Sequence, residues 1–343
     1  MKEVTEFRIV EQFASRLFAD TEGKKLGWIR KVELATDDPR FERIGELNRE
    51  IRATTDSSFF YGWISRRRYA KEEIAAAACF SLTVSAVFEP AGEECGTKYD
   101  ESTACPKCGA GATQVSDLRL DLRKVPKGKD IARTIADEII VSQRLAEKML
   151  DAGLTGFELR PVRHKARYED DPLDLKQLPT GREILKRAEA AGFPHPTGRF
   201  DVWLNRAENR ALFDQALAEN VALKGEEDRR KVKPMPVWHQ IVLTSTEAEI
   251  VPPTRVGINP FDDDIKGECR CPLGDLIGLN LLSEVSISAT SRGDADIVAS
   301  RQFIGVRRGL LRPRRVIMVS PRVWRLIESE RLKGVKIEVA HVV

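Results

Sequence analysis

Apolar positions along the chain follow two periods. After the helix start supplied by Asp37-Asp38-Pro39, Phe41, Ile44, Leu47 and Ile51 recur at spacings of three and four and predict an amphipathic helix. "CFSLTVSAVF", Cys79 to Phe88, alternates as a strand does and leads into a cysteine-rich segment. The aromatic patch "FFYGWI", Phe59 to Ile64, lies beside Arg66, Arg67 and Arg68 and is expected to pack in the core next to a solvated turn.

The pattern also repeats. "IIVSQRLAEKMLDAGLTGFELRPV" (139–162) aligns without a gap on "IMVSPRVWRLIESERLKGVKIEVA" (317–340), with Val141/Val319, Ser142/Ser320, Arg144/Arg322, Leu154/Leu332 and Gly156/Gly334 identical. Each copy reads as strand, helix, strand. Ser142 and Ser320 are placed as N-caps, and Pro321 takes the first helical position, where a missing N–H costs nothing. Leu145 and Met149, and Val323 and Ile327, form the inward stripes; Gly156 and Gly334 mark the turn into the last strand. The likeness extends upstream to Asp130-Ile131 and Asp296-Ile297.

Four regions follow from this: an N-terminal α+β region over 1–90, a knuckle segment with the first unit over 91–165, a helical insertion and linker over 166–236, and a second cysteine segment with the second unit over 237–343. Within the insertion, helices are expected at 180–191 and 205–224. The expected class is α+β, with duplicated strand-helix-strand units, a zinc-ribbon-like thiolate site and a helical insertion.

A chain of 343 residues can bury a sizeable core, and 42% hydrophobic with 32% charged residues suits a folded domain rather than a disordered one. No apolar run approaches the roughly 20 residues that span a bilayer, and the N-terminus lacks a basic-then-apolar order, so a cytoplasmic location is expected. A net charge of +3 falls short of a balance that by itself implies nucleic acid. No phosphate loop, dinucleotide fingerprint or nucleophile elbow occurs, and the histidines (His164, His195, His239, His341) are isolated. Asp262, Asp263 and Asp264 read as an acidic turn. No catalysis is expected.

The six cysteines carry the chemistry. An even count without an export signal points to metal or burial rather than disulfides. Cys105 and Cys108, in "CPKCG", have the spacing of a zinc knuckle. Cys95-Gly96 looks like the end of another, with Gly92 where its first cysteine would stand. Structural zinc prefers four ligands, so Cys95, Cys105 and Cys108 need a fourth. Cys271 is favoured, with Cys269 as the alternate, because "CPLG" repeats the Cys-Pro start and glycine finish of the first knuckle. Cys79, in an apolar strand, is expected in the core.

The cysteine-glycine knuckles followed by the strand-helix-strand unit resemble the double-CxxCG-motif proteins, some of which are bacterial immunity proteins encoded beside swarming-inhibition or contact-delivered toxins. The likeness covers about 92–162 and, through the repeat, 296–343. It implies a cytoplasmic protein that neutralises a toxin partner. Arg307, Arg308, Arg312, Arg314 and Arg315, in a loop that the first unit lacks, are the expected partner surface. The alternative is a nucleic-acid-associated zinc-ribbon protein that sets these arginines and Arg66 to Arg68 on phosphates.

Overall fold

The computed structural model describes residues 1–164, 236–262 and 269–343, with a few helical positions between 186 and 218. The helices expected at 180–191 and 205–224, and nearly all of the linker, otherwise lie outside the described residues. The architecture is α+β, built on three sheets.

The N-terminal sheet runs β2 (Lys24–Leu26), β3 (Ile29–Ala35), β1 (Lys2–Val10), β4 (Phe60–Arg68), with every pair antiparallel. Phe7 and Ile9 on β1, Val32 and Leu34 on β3, and Phe60 on β4 point to one face. α1 (Glu11–Ala14) follows β1 directly. α2 (Arg40–Thr54) covers the apolar face with Phe41, Ile44, Leu47 and Ile51, the stripe its spacing predicts. Its start is tied by Asp38, whose carboxylate accepts from the Arg40 N–H at 2.9 Å. Phe261 reaches this core from far along the chain, its ring 5.1 Å from Phe41 and 5.8 Å from Phe7. Gly45 leaves the room it needs, since a Cβ there would lie 2.6 Å from the Phe261 ring.

Two five-stranded sheets make up the rest. One has the order β12 (Phe157–Pro161), β14 (Trp238–Leu243), β11 (Ile139–Ser142), β10 (Ile131–Thr134), β6 (Val87–Phe88). The other has the order β17 (Val285–Ile287), β20 (Val335–Val342), β5 (Cys79–Val84), β19 (Arg314–Val319), β18 (Ile297–Ile304). α4 (Gln143–Asp151) links β11 to β12, and α5 (Pro321–Ser329) links β19 to β20. Two-stranded ribbons, β7 (Tyr99–Asp100) with β8 (Thr113–Gln114), β9 (Arg119–Leu120) with β13 (Arg163–His164), and β15 (Val256–Gly257) with β16 (Asn280–Leu281), fill the connections. α3 (Lys71–Ala76) precedes β5.

In each five-stranded sheet the strand between the pair flanking the helix comes from elsewhere in the chain. β14 lies antiparallel to both β11 and β12, with Ser142 opposite Trp238 and Phe157 opposite Leu243. β5 lies antiparallel to both β19 and β20, with Val319 opposite Phe80 and Val335 opposite Val84. β5, which its place in the sequence groups with the N-terminal region, is therefore a central strand of the C-terminal sheet. Its side chains are buried on both faces: Phe80 and Val84 in one core cluster, Cys79, 0% exposed, in another.

The helix starts match in detail. Ser142 accepts from the Leu145 N–H and donates to Asp130 at 2.8 Å, while Arg144 pairs with Asp130 at 2.6 Å. Ser320 accepts from the Arg322 N–H and donates to Asp296 at 2.6 Å, while Arg322 pairs with Asp296 at 2.8 Å. One core cluster takes Leu145 and Met149 from α4 together with Val323 and Ile327 from α5.

Gly156 and Gly334, with φ of +97° and +99°, let these segments meet: a Cβ at Gly156 would lie 1.9 Å from the Ile297 carbonyl oxygen, and one at Gly334 3.0 Å from that of Ile131. Gly27, at φ +66°, faces open space. Gly27→Ala is therefore expected to cost only the left-handed backbone penalty of about 1–2 kcal/mol. Gly156→Ala, which forces backbone to move as well, should cost roughly 2 kcal/mol more. Equal midpoints in urea unfolding of the two variants would contradict this packing.

Candidate metal centre

Each knuckle is a backbone device before it is a metal site. A 3-10 turn over Glu101–Thr103, capped by Asp100, delivers the chain to Cys105. The Cys105 N–H donates to Ala110 O at 2.7 Å, and the Gly109 N–H folds back to Cys105 O at 2.8 Å, with Gly109 at φ +69°. At the second knuckle the Cys271 N–H donates to Leu276 O at 2.7 Å, and the Gly274 N–H to Cys271 O at 2.9 Å, with Gly274 at φ +87°. The cysteine-to-carbonyl step is five residues in both, 105 to 110 and 271 to 276.

The two turns bring their side chains together. The ligand atoms of Cys105, Cys108, Cys271 and Asp275 all lie within 4.8 Å of one another. Cys105 Sγ stands 3.5 Å from Cys271 Sγ across 166 residues of sequence, and Cys271 Sγ stands 3.8 Å from Asp275 Oδ2. Tetrahedral coordination with metal–sulfur bonds of about 2.3 Å sets neighbouring sulfurs roughly 3.8 Å apart, so the spacing fits a single ion. The cluster could hold a metal ion.

The four donors are not equivalent. Desolvation pushes the Cys108 thiol up to about 12, the neighbouring thiols of Cys105 and Cys271 adding to it while the Ala110 N–H opposes. Burial also works against ionising Cys271, yet hydrogen bonds from the Leu273 N–H, at 3.4 Å, and from the Cys105 and Cys108 thiols outweigh it and hold this thiol below its usual range. Cys271 therefore ionises more readily than Cys108, and a bound cation would favour loss of the Cys108 proton.

Three of the residues singled out in the sequence, Cys105, Cys108 and Cys271, meet here. Cys95 does not. It closes a 3-10 turn over Glu93–Cys95, is 3% exposed, and burial pushes its thiol up. Cys269 is outside the group as well. The place expected for Cys95 is taken by Asp275. That residue follows Gly274, which stands where Cys108 stands in the first knuckle, so the fourth donor comes one position later and from a carboxylate. A signal existed in the repeated Cys-Pro turn, which already put residues 271–276 over 105–110. Among the described histidines none joins the cluster; His341, for instance, is engaged by Glu284 at 2.7 Å.

The arginine loop is not the open surface expected from the sequence. Arg312, with its side chain 10% exposed, bridges Glu93 at 2.9 Å and Glu101 at 2.8 Å and stacks on Tyr99. Arg307 pairs with Glu101 and lies against Gly109 of the first knuckle. Arg315 donates to the carbonyls of Thr246, Ser300 and Arg301 and stacks on Phe303. Arg314 is half-buried, and only Arg308 of the five is exposed. These contacts tie the loop to the segment carrying the first knuckle. In the N-terminal cluster, Arg67 is 6% exposed between Glu3 and Glu338, and Arg66 pairs with Glu6 and Glu33. "FFYGWI" divides: Phe59 and Phe60 enter the core, whereas Tyr61 is exposed beside the exposed Trp28, the ring centroids 5.1 Å apart.

No family model, curated protein or solved structure matches the chain. No helix among the described residues is long and apolar enough to cross a membrane.

The 343-residue chain prepared without chelator is expected to hold one metal ion. Cys105→Ser, Cys271→Ser and Asp275→Ala should each lose it and melt at a lower temperature, while Cys95→Ser keeps it. Affinity should rise with pH, because binding displaces thiol protons. Metal analysis in which Cys95→Ser, but not Asp275→Ala, empties the protein would restore the ligand set expected from the sequence. For the arginine loop, Arg312→Ala leaves Glu93 without its partner and Glu101 with Arg307 alone, and should cost on the order of 2 kcal/mol in chemical unfolding, against less than about 0.5 kcal/mol for Arg308→Ala.

Proposed function

We propose that this chain is a non-catalytic, metal-stapled protein-binding module of the immunity or antitoxin type, which neutralises a toxin by docking on it. The observation that carries the reading is the donor set of the metal centre. Three cysteines and an aspartate, drawn from two turns 166 residues apart, bring four ligand atoms within 4.8 Å of one another, the number a tetrahedral ion takes. Such a set suits a structural ion rather than one that keeps a position open for water. Zinc fits it best, being tetrahedral and content with mixed sulfur and oxygen ligands. Structural zinc contributes on the order of 10 kcal/mol of apparent binding free energy, enough to hold the two knuckles together.

In this reading residues 79–162 and 238–342 are copies of one unit, each giving its first strand, β5 or β14, to the sheet of the other. The matched registers of those strands and the matched Asp-Ser-Arg arrangements support this. The metal then joins the Cys-Pro turns of the two copies.

The docking surface we assign is the exposed end of the N-terminal sheet, where Trp28 and Tyr61 pack on each other with Leu26 and Ile64 also exposed. Large aromatics held at a surface are the residue types that dominate protein interfaces. The nucleic-acid reading is the weaker one, because it needs the arginine clusters, and most of these are spent on internal carboxylates, carbonyls and rings.

The test uses the metal-loaded wild type and a Trp28→Ser/Tyr61→Ser variant as baits in native lysate, with proteins and nucleic acids both identified in the eluate. The expected result is a protein that is toxic when expressed alone, silenced by co-expression of the wild type, and lost from the variant although its metal content and melting temperature are unchanged. Recovery of nucleic acid that washes off steeply with salt, and no such protein, would replace this reading with the second.

A further inference from the structure

A cavity of roughly 430 Å³ lies between the first five-stranded sheet and the loop that leads into β19. Ile139, Leu243, Pro313 and Ile317 give it an apolar wall. The amides of Gln114 and Gln240, each hydrogen-bonded to the other, form part of its polar side. None of these residues belongs to the metal centre or to the Trp28–Tyr61 surface.

The charges around the cavity are answered, with one exception. Asp137 holds Arg133 at 3.0 Å. Glu138 accepts the Tyr99 hydroxyl at 2.6 Å and the Gly92 N–H at 3.1 Å. Arg160 pairs with Glu158 at 3.0 Å. Arg312 is divided between Glu93 and Glu101, and Arg315 is bound to backbone carbonyls. The Arg314 side chain lines the same cavity and has neither a hydrogen bond nor an ion pair among the described residues. Asp137 acts on it only through space, while Arg133 repels it.

A half-buried guanidinium whose only counter-charge acts through space, and whose N–H groups have no hydrogen-bond partner among the described residues, is poorly compensated. Burial pulls the Arg314 guanidinium below its ordinary range, the attraction of Asp137 failing to offset the desolvation. It still carries its charge at neutral pH. The lining suits an anion with oxygens for the planar fork and, given the wall of isoleucine and leucine, an apolar body behind them.

We propose that this cavity binds a small organic oxyanion, a carboxylate or a phosphate ester, with Arg314 as the anchor and the Ile139, Leu243 and Ile317 wall against its apolar part. The Gln240 amide, with one N–H left over from its bond to Gln114, lies beside it as a further donor, while both N–H groups of Gln114 are taken by Ser116 O and Gln240 Oε1. This site is independent of partner docking, and the outcome of the capture test has no bearing on it.

The experiment is calorimetric titration of the full, metal-loaded chain with four probes: acetate, benzoate, inorganic phosphate and phenyl phosphate. Benzoate or phenyl phosphate should bind about tenfold or more tightly than its small counterpart, and the better of the two identifies the head group. Arg314→Met should weaken that probe at least about tenfold while melting no lower than the wild type, since it removes an unpaired charge. Arg314→Lys, which keeps the charge and loses the fork, should weaken it several-fold. The proposal is overturned if none of the four binds the wild type below about 10 mM, or if Arg314→Met binds within about twofold of it.

Discussion

A strand in the middle of a sheet must have both its hydrogen-bonding edges answered, and in this protein two such strands are answered by segments far from them in the chain. β14 completes the sheet whose helix-flanking strands are β11 and β12; β5 completes that of β19 and β20. Without β14, β11 and β12 would each leave an edge of N–H and C=O groups unpaired beneath α4, and the same holds for β5 beneath α5. Neither sheet is complete until segments far apart in the chain have come together. The shared core of α4 and α5 and the close approaches at Gly156 and Gly334 are consequences of that constraint.

The cysteine cluster lies on the same connection. The first knuckle sits on the chain between β6 and β10, which belong to one five-stranded sheet, and the second sits before β17 and β18, which belong to the other, and the two turns meet face to face. Each turn is shaped by backbone hydrogen bonds that need no metal, which leaves a cation to bind sulfur already gathered. The arginine loop closes this junction from one side, with Arg312 on Glu93 and Glu101 and Arg307 against Gly109. Charges that would serve a partner on an open loop here bind parts of the chain to each other.

Arginine in this protein is therefore mostly a cross-link. Arg67 joins the N-terminal sheet, through Glu3, to β20, through Glu338. Arg144 and Arg322 brace the helix starts through Asp130 and Asp296. Arg314 is among the arginines that depart from this pattern, and it stands at a cavity.

The helix of Phe41 to Ile51, the strand-helix-strand order at 139–162 and 317–340, the caps at Ser142 and Ser320 and the burial of Cys79 were all legible in the sequence. Each depends on neighbours within a few positions: helical spacing, a hydroxyl one turn from an N–H, a glycine where φ must be positive. The sequence also paired Cys105 and Cys108 with Cys271, because the Cys-Pro turn is itself local and recurs. What it could not carry was partnership at a distance. The alternation of "CFSLTV" marks a strand and is silent on which strands lie beside it. Asp275 rather than Cys95 lies with Cys105, Cys108 and Cys271 because that company is settled by where two turns meet, and a carboxylate beside a glycine has no spacing signature of its own. The arginines of the C-terminal loop look solvated in a sequence because the carboxylates that bury them, Glu93 and Glu101, lie about two hundred residues earlier, and only the tertiary structure closes that distance.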